Sequence, residues 1–251
     1  MQNDIILAAR GLGKDFLGFR AVDNVDLNVR RGAIHALIGP NGAGKTTLFN
    51  LLTKFLQPSR GAISYNGRDI TQMRPADVAR LGLVRSFQIS AVFSHMSVLE
   101  NVRIALQRKR GENFDFWRSQ DTLNVLNDKA IELLESVNLA DVKDKSAIEL
   151  PYGRKRALEI ATTLALDPEL MLMDEPMAGV GHEEITLIES LIRKVATSRT
   201  VLMVEHNLSV VASLSDYITV LARGNVLSQG DYATVSKDPR VIEAYIGSGH
   251  A

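Results

Sequence analysis

The chain has 251 residues, of which 45% are hydrophobic and 23% charged, a composition that suits a soluble globular protein with a full core and excludes a disordered one. Its 29 Lys and Arg balance 29 Asp and Glu, so there is no basic surplus to displace counterions from phosphates and no nucleic-acid partner is expected. Cysteine is absent, which excludes disulfides, thiolate metal sites and a cysteine nucleophile and fits a reducing compartment. The first ten residues carry Asp4 and lack the basic start and apolar run of a signal peptide, so none is expected. No stretch approaches the ~18 uninterrupted apolar residues of a spanning helix. If the protein acts at a membrane, another chain must cross it.

In chain order, residues 5–9 form a short apolar run and 21–29 alternate through Val22, Val25, Leu27 and Val29; both read as strands. Residues 33–38 are a compact apolar strand running into a glycine-rich break. Helical spacing follows at Leu48, Leu51, Leu52 and Phe55 over 46–55. Residues 62–65 read as a strand, with Asn66-Gly67 as a hairpin signal. From about 90 to 166 the pattern is mostly helical, at 98–106, 123–137 and 154–166. A polar stretch at 107–120 carries Phe114, Phe116 and Trp117. Those rings fold back onto the helices or contact a partner. The α/β pattern then returns: strand at 170–173, amphipathic helix at 183–195, strand at 200–204, helix at 208–214, and a hairpin pairing 217–221 with 226–228. Residues from 231 onward read as mainly helical.

Gly39-Pro40-Asn41-Gly42-Ala43-Gly44-Lys45-Thr46 satisfies the P-loop pattern G-x-x-x-x-G-K-[ST], with an apolar strand before it and a helix after it. Glycines let successive backbone N–H groups curl around an anion, and the helix N-terminus adds partial positive charge. Lys45 can reach the β- and γ-phosphates of a nucleotide, and Thr46 can offer its hydroxyl to Mg²⁺. Farther on, Leu170-Met171-Leu172-Met173-Asp174 is an apolar strand ending in a carboxylate, the place where P-loop enzymes hold Mg²⁺. Glu175 follows directly, where a carboxylate can polarise a water aimed at the γ-phosphate.

Five elements now stand in a recognisable order: GPNGAGKTT, SFQ, LPYGRKRALEIA, LMLMDEP and VEHN. Over essentially its whole length the chain resembles the ATPase subunits of ABC transporters. The resemblance implies an α/β, RecA-like P-loop NTPase core with an N-terminal antiparallel β subdomain and an inserted helical subdomain. It places the core at 1–89 and 167–251 and the helical part at 90–166. It implies ATP and Mg²⁺ as cofactors, with Gly39 to Thr46 and Thr47 cradling the phosphates. Thr46, Asp174 and the glutamine-loop residue Gln88 would hold the metal, Glu175 would be the base, and His206 the switch histidine at the γ-phosphate. Phe16 falls where the family stacks an aromatic on adenine, although plain core packing is its other reading. Gly153 heads a helix that would face ATP on a second ATPase subunit.

Two departures are visible. The signature loop reads Leu150-Pro151-Tyr152-Gly153-Arg154, without the usual serine hydroxyl and with a proline that has no N–H to donate. Gly181 stands where the family usually has Asp or Asn, beside His182, and communication between the two ATP sites is what this affects. The LPYG form, the MSVLEN stretch at 96–101 and the tail VIEAYIG at 241–247 resemble one subfamily. These are the ATP-binding subunits of branched-chain amino-acid importers, in particular the larger of their two ATPases. That likeness implies membrane permease subunits and a second ATPase subunit, identical or related, as partners, with a periplasmic or extracellular solute-binding protein acting indirectly. It implies a cytoplasmic place on the inner face of the cell membrane. The rival reading is a soluble ABC-type ATPase acting on DNA or ribosomes, against which the short helical region, the single cassette and the zero net charge all speak.

Overall fold

The computed structural model describes residues 4–86, 92–110 and 126–246. These fall into two compact units. One lies within Met1–Arg85, Glu169–Pro176 and Arg193–Ala251, the other within Ser86–Pro168 and Met177–Ile192.

The first unit holds two sheets. Strands β1 (Ile5–Phe16), β2 (Phe19–Arg30), β4 (Arg60–Tyr65) and β5 (Arg68–Asp69) form an antiparallel sheet in the order β2-β1-β4-β5. The second sheet has the order β10-β9-β3-β8-β7-β6. Its members are β3 (Ile34–Ile38), β6 (Leu83–Arg85), β7 (Leu170–Asp174), β8 (Thr200–Val204), β9 (Tyr217–Ala222) and β10 (Asn225–Gly230). All its pairings are parallel except the β9–β10 hairpin. Strands β3, β7 and β8 are almost uninterrupted buried apolar runs, as expected of a parallel sheet covered on both faces. Helix α1 (Lys45–Leu52) buries Leu48, Phe49, Leu51 and Leu52 in the same core as Leu37, Leu172 and Leu202. Each such side chain contributes about 1.5–3 kcal/mol when fully buried.

Several boundaries differ from those expected. β1 continues past Ala9, where the apolar run ends, to Phe16. The strand is paired on both sides, and the Asp26 carboxylate accepts the Gly11 N–H at 2.7 Å where the β1–β2 register shifts. α1 ends at Leu52 rather than 55 because Lys54 takes a left-handed φ of 65°. Helix α2 (Pro75–Arg80) and the three-residue β6 carry too little periodicity to be read from sequence.

The second unit is helical among its described residues: α3 (Val98–Arg110), α4 (Asn127–Ser136), α5 (Tyr152–Leu164) and the start of α6 (His182–Ala196). The MSVLEN stretch is a capping box. The Ser97 N–H donates to Glu100 at 2.8 Å and the Glu100 N–H to Ser97 Oγ at 3.1 Å. Asn101 exchanges hydrogen bonds with the Phe93 backbone, at 2.8 and 3.1 Å. The aromatic stretch at 111–120 lies outside the described residues.

A buried polar knot joins β3 and β9. His35 is 1% exposed, lies 2.9 Å from Thr219 Oγ1 and meets the Tyr217 ring edge-on at 5.2 Å. Burial first, and the nearby Arg30 cation second, push its imidazole down to about 4. The folded state therefore binds fewer protons than the unfolded chain between pH 6.5 and 4, and stability falls as pH falls through that window. Between pH 6.5 and 5 the loss from this group is about 2 kcal/mol. Urea midpoints at the two pH values check this: His35→Leu is expected to flatten the dependence by that amount.

Candidate functional site

Three loops leave the same edge of the parallel sheet, the carboxyl ends where α/β sheets form their binding crevice. Register sets their level: Leu37 pairs with Val204, and Val204 with Asp174. The residues just beyond these strands are the glycine-rich loop after β3, Asp174 and Glu175 at β7, and Glu205 and His206 after β8.

The loop closes tightly on the rest of the unit. Gly39 has φ 151° and Gly44 has φ 97°. A Cβ would stand 2.2 Å from Leu221 O at Gly39 and 2.5 Å from Ala21 O at Gly44. No side chain fits at either place. Ala43 is buried, Pro40 half-buried, and Asn41, Gly42 and Thr46 are exposed. α1 begins at Lys45 with Gly44 as its cap and no side-chain cap bond. The first-turn amides of Lys45, Thr46 and Thr47 are thus the unpaired positive end of a helix. Lys45 Nζ donates to Gly39 O at 2.7 Å and Pro40 O at 3.0 Å. Burial lowers its pKa and the Glu175 carboxylate partly restores it. This donor set of amides, helix end and ammonium is built for a polyphosphate.

Glu175 sits in the left-handed region at φ 46°, its N–H held by Val204 O at 2.9 Å. Such backbone strain in a non-glycine residue concentrates at functional sites. Its Oε1 lies 4.0 Å from His206 Nδ1, with both side chains open to solvent. That distance allows an ion pair but is too long for a hydrogen bond. The histidine loop is fixed from below by Glu205, which sequence reading missed. Fully buried, it accepts the His206 N–H at 3.0 Å and the Asn207 N–H at 3.2 Å. Asn207 in turn caps helix α7 (Leu208–Leu214).

Also missed was Arg85, at the end of β6. One guanidinium nitrogen reaches Asp174 Oδ2 at 2.6 Å and another reaches Asn50 Oδ1 at 2.6 Å. Nothing in the sequence marks an arginine after two apolar residues as special.

Phe16 pairs across the β1–β2 hairpin with Phe19, and the two are 41% and 67% exposed. Core packing is therefore not its role. It presents a ring at the exposed end of the hairpin, with Lys14 Nζ 5.2 Å from its centre. Gln88 lies outside the described residues.

In the second unit, α5 begins at Tyr152 with Pro151 as its cap, two residues earlier than expected. The missing proline N–H costs nothing there. Tyr152 OH donates to Ala178 O at 2.8 Å, and the Gly153 N–H donates to Glu184 Oε1 at 3.2 Å. The positive end of this helix thus holds a carboxylate.

Thr46 and Asp174 are hard oxygen donors of the kind Mg²⁺ takes. Among the described residues no three His, Asp or Glu side chains cluster as a metal cage. Mg²⁺ is normally held by one or two protein groups with water and phosphate oxygens, so the residues present fit it.

The chain matches the ABC transporter family over residues 22–178 and the branched-chain amino acid ATP-binding cassette transporter family over 225–251. It is 38% identical to the high-affinity branched-chain amino acid transport ATP-binding protein BraF of Pseudomonas aeruginosa, over 96% of this chain and 98% of that one. It is 36% identical to the corresponding protein LivG of Escherichia coli K12, with the same coverage. Among solved structures, the ADP conformation of MJ1267, an ATP-binding cassette of an ABC transporter, superposes with a TM-score of 0.86 at 32% identity, over 97% of this chain and 99% of that one. A nucleotide-free ABC cassette gives 0.84 at 30% identity, with the same coverage. The parallel sheet, antiparallel sheet and helices described above are thus those of a P-loop ATPase cassette.

Proposed function

This chain belongs to the ABC transporter family as an ATPase subunit of its branched-chain amino-acid class, and from that premise we propose that it powers uptake of branched-chain amino acids or similar small polar solutes through separate permease subunits. One observation carries the chemical reading: the register that sets Lys45, Asp174, Glu175 and His206 on one sheet edge.

The loop Gly39 to Thr46 and Thr47 bind the ATP phosphates, and Lys45 leaves its loop carbonyls for the β- and γ-phosphates. Phe16 stacks on the adenine. Thr46, Asp174 and Gln88 hold Mg²⁺, which when bound neutralises charge on the β- and γ-phosphates. Glu175 takes the proton of the attacking water, and His206 steadies the γ-phosphate. Residues 1–89 and 167–251 act as the nucleotide-binding core and 90–166 as the helical arm toward the permeases. Gly153 faces ATP on the second ATPase subunit, identical or related, and a solute-binding protein delivers cargo to the permeases. No described helix is long and apolar enough to cross a membrane, which fits a subunit seated on the inner face beneath its permeases.

A host strain lacking this chain is expected to lose high-affinity uptake of labelled leucine, isoleucine or valine. The parent chain restores it and Lys45→Met does not. Unchanged uptake of all small solutes, with the chain sedimenting on ribosomes or DNA, would refute the transport reading.

A further inference from the structure

Of the three residues assigned to the metal, the two that are described sit on different elements: Thr46 on α1 and Asp174 at the end of β7. Something must hold the two at one separation before a small, geometrically demanding ion can use both. Arg85 spans them. Its fork donates to Asp174 Oδ2 and to Asn50 Oδ1, each at 2.6 Å. Asn50 lies one helical turn after Thr46 on the same face of α1. The guanidinium carbon lies 4.9 Å from the centre of the Phe49 ring and 5.5 Å from that of Phe55. These two rings, with the fork, fix the guanidinium in place. The pair is largely withdrawn from water, with Arg85 and Asp174 side chains 18% and 13% exposed. At the backbone, Arg85 is tied to β7 itself through its pairing with Leu172.

We infer that Arg85 is the positioning residue of the metal site, holding the Asp174 carboxylate against the helix that carries Thr46 so that both supply oxygen to one Mg²⁺. It acts through Asp174 and Asn50, the two groups its fork holds. Its effect belongs to the hydrogen-bonded groups around a ligand set, whose loss typically lowers metal affinity about 10–100-fold. The inference rests on the metal reading given above, and the two fail differently.

The test compares ATP affinity in EDTA with ATP affinity in Mg²⁺. The parent is expected to gain affinity from Mg²⁺. In Arg85→Met the affinity in EDTA stays at the parent's value, while the Mg²⁺-dependent gain shrinks by about 10-fold or more. Arg85→Lys keeps the charge but not the fork and recovers only part of the gain. Asn50→Leu removes one prong and produces a smaller loss of the same kind. Equal loss in EDTA and in Mg²⁺ would overturn the inference, because Arg85 would then serve the fold. An unchanged or larger gain in Arg85→Met would overturn it too. A parent that gains nothing from Mg²⁺ would instead sink the metal assignment itself.

Discussion

Glu175→Gln is expected to bind ATP as the parent does and to hydrolyse it about 10²–10⁴-fold more slowly. The substitution keeps size and shape at a residue whose backbone is strained, with φ 46° and its N–H held by Val204 O. It removes only the ability to take a proton. With the loop, Lys45 and Asp174 untouched, the loss falls on kcat and not on nucleotide affinity. Single-turnover hydrolysis beside equilibrium binding separates the two. A variant turning over at the parent's rate would remove Glu175 from the base role.

The second large effect is on binding. Lys45→Met is expected to weaken ATP affinity about 100-fold, or roughly 3 kcal/mol, for two charge-assisted hydrogen bonds to phosphate lost in a partly desolvated site. The same ammonium donates to Gly39 O and Pro40 O, so folding stability drops as well, by about 1–2 kcal/mol. Urea unfolding and isothermal titration measure the two losses independently. Unchanged ATP affinity would mean that the glycine loop is not the phosphate site.

How much was legible in the sequence depended on the range of the interactions involved. The loop from Gly39 to Thr46 was readable because its constraint is local: glycine backbone, a helix start and a lysine in one short run. Asp174 was readable because a buried parallel strand leaves an unbroken apolar run ending in a charge. Arg85 and Glu205 were not readable, since each acts on groups that only the folded sheet brings near. Arg85 and Asp174 are 89 residues apart in sequence. Glu205 accepts from the residues right after it, yet its complete burial is a property of the folded unit that its local sequence does not show. Phe16 is the converse case. An aromatic in an alternating strand reads equally as core or as platform, and only its exposure in the folded hairpin argues against the core reading. The signature region was legible as a helix start, but its partners Ala178 and Glu184 were not.

The sheet order has a consequence for how the chain is made. β3 is the third strand to be synthesised, yet its neighbours on both edges are β8 and β9. From Ile38 to Thr200 about 160 residues must still be added, some 8–30 s at about 5–20 residues per second. Throughout that time a strand that is apolar except for His35 has neither flank closed. A nascent chain of this design needs shelter at the ribosome, and a stalled or truncated product that stops before Thr200 is marked for aggregation rather than for partial function.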